Sequence, residues 1–112
     1  MSLPVPRHSS APSDEARLIE RLGAGDEAAL DTIVRAHSAA LVAYATIITG
    51  SNESAEEVVQ DVLFEIWRRR DQLIITASLR LYLYGAVRNR AINASQRARR
   101  RPAIHSSIGH IR

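Results

Sequence analysis

A chain of 112 residues can bury one modest core without staples, and with no cysteine it has neither a disulfide framework nor a thiolate metal site. Its net charge of +3 conceals a polarity: residues 1–67 hold 4 Arg against 11 Asp and Glu, whereas residues 68–112 hold 11 Arg against Asp71 alone. All 15 basic residues are arginine, the better fork for phosphate, so this distribution suggests two partners of different character, one of them polyanionic.

Residues 1–12 are rich in Pro and Ser, carry no period and read as a disordered leader. The opening "MSLPVPRHSSAPSD" lacks the apolar centre of a secretion signal, and no apolar run approaches the roughly 20 residues of a membrane span. A cytoplasmic protein without membrane insertion is expected. "SDEARLIERLGAG" predicts a short helix with Ser13 as N-cap and Leu18, Ile19 and Leu22 on one face. Asp26 then caps a longer helix with a buried stripe of Leu30, Ile33, Val34, His37, Leu41, Tyr44, Ala45 and Ile48, which Gly50 closes. His37 on that stripe reads as a hydrogen-bonded core histidine.

In "AEEVVQDVLFEIWRRR" the residues Ala55, Val58, Val59, Val62, Leu63, Ile66 and Trp67 follow the i, i+3, i+4, i+7 spacing of a core-facing stripe. Ser54 and Glu57 have capping-box spacing, so this third helix is expected from about Ala55 to about Arg70. Its opposite face collects Glu57, Gln60, Asp61, Phe64 and Arg68, leaving an aromatic ring in the middle of a polar surface. "DQLIITAS" could form a strand on its β-branched residues, but a single strand without a partner is unstable, so an ordered loop is expected. It leads into a fourth helix, "LRLYLYGAVRNRAINASQRARR", with Leu83, Tyr84, Val87, Ala91, Ala94 and Ala98 toward the core.

The far face of this fourth helix aligns Tyr82, Asn89, Asn93, Gln96 and Arg100. Side-chain amides offer a donor beside an acceptor, which suits a base edge, and an aromatic ring offers a face for an unstacked base. Arg88, Arg90, Arg97, Arg99 and Arg101 flank the row and can track phosphates. Enzymatic constellations are missing from the sequence: His8, His37, His105 and His110 show no ligand spacing with carboxylates, and no phosphate-binding glycine loop or nucleophile elbow is present. Neither a catalytic residue, a metal nor a cofactor is expected.

The pieces "GDEAALDTIVRAH", "AEEVVQDVLFEIWRRR" and "LYLYGAVRNRAIN", in this order and followed by arginines, resemble region 2 of bacterial sigma factors, most closely the small extracytoplasmic-function group. The resemblance covers about residues 14–101. It implies a compact all-α bundle of about four helices whose acidic helix docks on the β′ clamp helices of core RNA polymerase through Glu57, Gln60, Asp61 and Phe64. It further implies recognition and melting of the minus-ten promoter element on the non-template strand. The contacts expected on that basis are Leu73, Ile74, Thr76 and Ser78 in the loop, with Tyr82, Tyr84, Arg88, Asn89, Asn93, Gln96, Arg97 and Arg100 on the helix.

An anti-sigma protein is a further implied partner. The loop "LIITAS" departs from the aromatic and polar composition common in the family, and Tyr82 stands where a tryptophan is frequent. Such factors also carry region 4, which this sequence does not reach; residues 13–101 are expected to form region 2, and residues 102–112 the start of an interdomain linker. The competing reading is an Arg-rich RNA-binding or structural helical module without promoter specificity.

Overall fold

A computed structural model describes residues 13–109, with side chains placed for residues 13–99. These form four helices and no strand: α1 Asp14–Gly23, α2 Glu27–Thr49, α3 Asn52–Arg68 and α4 Leu79–Gly109. The expected all-α bundle is what the chain adopts, and "DQLIITAS" lies in the loop between α3 and α4 rather than in a strand. The expected leader, residues 1–12, lies outside the described residues.

Local chemistry sets each helix start. The Ser13 hydroxyl accepts the Ala16 N–H at 3.0 Å, and Asp14 and Glu15 sit in the first turn, where the helix dipole favours negative charge. Gly25 turns the chain at φ +91°, a left-handed conformation that side chains resist, and the next residue caps α2. Asp26 accepts the Ala28 N–H at 3.0 Å and the Arg21 Nε at 2.8 Å. The bond from Arg21, then that from Ala28, holds the Asp26 carboxyl below its ordinary range.

Gly50 ends α2 in the left-handed conformation, φ +78°, and its N–H donates to the Thr46 carbonyl at 2.8 Å. Ser51 is already extended, and its hydroxyl accepts the Ser54 N–H at 3.1 Å, so α3 begins at Asn52 rather than at about Ala55. A left-handed glycine reverses the chain within one residue, which lets the next serine start the new helix and places Ser54 inside its first turn. The connection of two residues folds α3 back along α2. At its other end α3 stops at Arg68, and Arg70 latches that end to the α1–α2 turn. The Arg70 guanidinium lies 4.3 Å from the Trp67 ring centre, donates to the Trp67 carbonyl at 2.9 Å and borders Gly25.

The core joins all four helices through Leu22 of α1, Ile33, Leu41 and Ala45 of α2, Ala55 to Ile66 of α3, and Leu79, Leu83, Val87 and Ala91 of α4. Among the described residues no polar side chain is buried. The α3 stripe lies inward as predicted, with Trp67 half-buried at its end. His37, expected in the core, is only half-buried, and Ala98 is exposed because α4 has by then reached the first turn of α3. The α4 backbone stays helical to Gly109, past Pro102, where the linker was expected to begin; a proline forfeits one N–H bond and strains the turn before it without obliging the helix to end there.

By length and composition α2 is long and apolar enough to cross a membrane, with an 18-residue window of mean hydropathy 1.3. Alanines interspersed with larger aliphatics raise the average without making an unbroken apolar run. In the bundle α2 packs against α1, α3 and α4 and buries Ala29, Ile33, Leu41 and Ala45.

Leu83 is fully buried and Leu81, two residues earlier, is 63% exposed. Leu83→Ala should therefore lower the unfolding free energy by about 3 kcal/mol in urea denaturation. Leu81→Ala should change it by less than about 0.5 kcal/mol.

Candidate functional site

With the α3 stripe committed to the core, the rest of that helix is displayed. Glu57, Gln60, Asp61, Phe64 and Arg68 are all exposed along one face, and the Phe64 ring is 65% accessible. Glu65, at the border of this face, pairs with Arg68 at 3.0 Å and Arg69 at 3.8 Å. The result is an acidic surface with one large apolar residue at its middle.

Beside it runs the seam between α3 and α4. A groove of about 490 Å³ opens there, with a floor that includes Val62, Ile66 and Ala86. The loop contributes Gln72, Leu73 and Ile74, and α4 contributes Tyr82, Asn89, Arg90, Asn93 and Arg97. Glu65 and Arg69 complete the α3 wall. A second groove of about 320 Å³ continues the seam toward the start of α3, between Ser54, Glu57, Val58 and Asp61 on one side and Arg90, Ala94, Arg97 and Ala98 on the other. Arg90 and Arg97 border both grooves. The Arg90 Nε lies 3.6 Å from Asp61 Oδ2, a half-exposed pair that ties the acidic face to the cationic one and adds at most about 1 kcal/mol.

Of the predicted nucleic-acid contacts, the first groove gathers Leu73, Ile74, Tyr82, Asn89, Asn93 and Arg97. Thr76, Arg88 and Gln96 are exposed but do not line it. Ser78 is exposed too, and its hydroxyl is engaged in accepting the Leu81 N–H at 3.1 Å. Tyr84 faces the other way, edge-on to Tyr44 of α2 at 4.9 Å between ring centres; two helical residues span about 200°, so Tyr82 and Tyr84 cannot share a face. The Arg100 side chain lies outside the described residues. Sequence reasoning overlooked Glu65, Arg69 and Gln72. The i, i+4 spacing of Glu65 and Arg69 beside the Val62–Ile66 stripe was the available signal.

Residues 33–101 match the Sigma-70 region 2 family. The chain belongs to that family. No curated protein and no solved structure matches it. Membership gives this sigma region 2 domain a role in transcription initiation, within a non-enzymatic family whose members work with core RNA polymerase and promoter DNA. The match begins inside α2, so α1 and its turn fall outside it. Both surfaces described above, the α3 face and the α3–α4 groove, fall within it.

Because Phe64 contributes nothing to the core, Phe64→Ala should leave the unfolding free energy within about 0.5 kcal/mol of the parent and the far-ultraviolet circular dichroism unchanged.

Proposed function

We propose that this chain is region 2 of a sigma factor of the extracytoplasmic-function group. It docks on the β′ clamp helices of core RNA polymerase through Glu57, Gln60, Asp61 and Phe64, and it opens the minus-ten promoter element by capturing an unpaired non-template base. The observation that carries this reading is the separation of two surfaces on adjoining helices, one acidic around an exposed aromatic ring and one cationic with amides and a ring. Acidic side chains complement a basic coiled coil and steer its approach, and a desolvated aromatic anchor then supplies much of the affinity. A single polyanion-binding module has no use for the first surface.

The groove suits one unstacked base. Its apolar floor and the Tyr82 ring offer the faces against which a base stacks, the Asn89 and Asn93 amides offer paired donors and acceptors for its edge, and Arg90 and Arg97 can meet the flanking phosphates. Extruding a base costs unpairing energy, so a site of this kind favours DNA that is already single-stranded. Residues Thr76, Ser78, Arg88 and Gln96 are proposed contacts of the neighbouring backbone rather than of the captured base. An anti-sigma protein covering the same two surfaces is the regulator that the reading implies, in the cytoplasm where polymerase works.

Two measurements test this. Phe64→Ala should weaken binding to core RNA polymerase by about 2 kcal/mol in a fluorescence titration, since a central aromatic anchor is lost; unchanged affinity would rule out the docking face. Asn89→Ala should cost roughly 1 to 3 kcal/mol on the preferred single strand and much less on a strand altered at the base it reads. Arg99→Ala should instead weaken all strands alike and flatten the logarithmic salt dependence by about one unit. Equal, sequence-blind losses from both would favour an Arg-rich module that binds any polyanion.

A further inference from the structure

The start of α4 carries a contact that links distant parts of the chain. The Leu79 N–H donates to Glu15 Oε2 at 2.8 Å across 64 residues of sequence, while Leu81 N–H is met by the Ser78 hydroxyl. Leu79 is itself buried, and Glu15 is held in place because α1 buries Leu22 and packs Leu18 and Ile19 against the core. The first turn of a helix has N–H groups without intrahelical partners, and a carboxylate from another element satisfies one of them in a favourable field. In the chain this turn lies between Ile74 and Tyr82, both of which line the groove.

We propose that Glu15 is a positioning residue for strand recognition: its bond to the Leu79 N–H fixes where α4 begins, and thereby holds the Leu73–Ile74 wall and Tyr82 at the spacing that receives a base. This rests on the DNA reading of the groove. It also gives α1, outside the family match, a part in a site it does not touch.

Glu15→Ala and Glu15→Gln in the full chain test it, with two readouts: hydrogen exchange at the Leu79 amide, and affinity for a single-stranded DNA enriched from a random pool by the parent protein against a scrambled strand of the same composition. Glu15→Ala should expose the Leu79 amide and reduce the preference for the enriched strand by roughly tenfold, the scale of a lost cap. Glu15→Gln keeps an acceptor oxygen and should restore most of both. A pure charge effect would instead raise binding to both strands, because losing a carboxylate makes the chain more basic, and Glu15→Gln would then behave like Glu15→Ala. That result, or an unchanged preference in Glu15→Ala, overturns the proposal while leaving the DNA reading intact. A parent protein without strand preference overturns both.

Discussion

Because α3 commits Ala55, Val58, Val59, Val62, Leu63 and Ile66 to the core, its rotation about its own axis is fixed, and every outward residue is assigned by that one constraint. At roughly 1.5 to 3 kcal/mol for each large aliphatic side chain buried, a turn of the helix that hid Phe64 would expose several of these and cost far more than it gained. The acidic face is thus a consequence of the packing. So is the groove, since Val62 and Ile66 are shared between the core and its floor.

The charge asymmetry of the sequence acquires a geometric meaning in the bundle. The acids of α3 and the arginines of α4 meet along one seam, where Asp61 and Arg90 approach within 3.6 Å. Half-exposed pairs of this kind contribute little to stability, so apolar packing rather than salt bridging holds α3 and α4 together. The same pair lies between the proposed polymerase face and the proposed DNA groove, and a partner engaging Asp61 would leave Arg90 available to a phosphate. The two surfaces adjoin without overlapping, which is compatible with the proposed simultaneous hold on polymerase and promoter.

Much of this was legible in the sequence wherever one helix carried its own signal. The stripe of α3, the caps at Ser13 and Asp26, the closing Gly50 and the exposure of Phe64 each follow from periodicity or from residue chemistry within a few positions. What escaped depended on a second element. Glu65 and Arg69 became groove residues only once α4 lay beside α3, and Glu15 met Leu79 only through the fold. Of the row drawn on α4 from Tyr82 to Arg100, Tyr82, Asn89 and Asn93 line the groove beside the flanking Arg90 and Arg97, and Gln96 does not. Tyr84 was read both as core and as contact; it is half-buried and meets Tyr44 edge-on, away from the groove. Past Pro102, where the linker was expected to begin, the backbone stays helical to Gly109.

In the proposed function the outward face of α3 meets polymerase. A photocrosslinking side chain placed at Gln60, with Ala39 on the exposed side of α2 as the control position, tests it directly when the protein is irradiated with core bacterial RNA polymerase. Capture of the β′ subunit from position 60 and not from position 39 is the predicted result. Equal capture from both positions, or no β′ capture from position 60 in a protein that still binds nucleic acid, would contradict it.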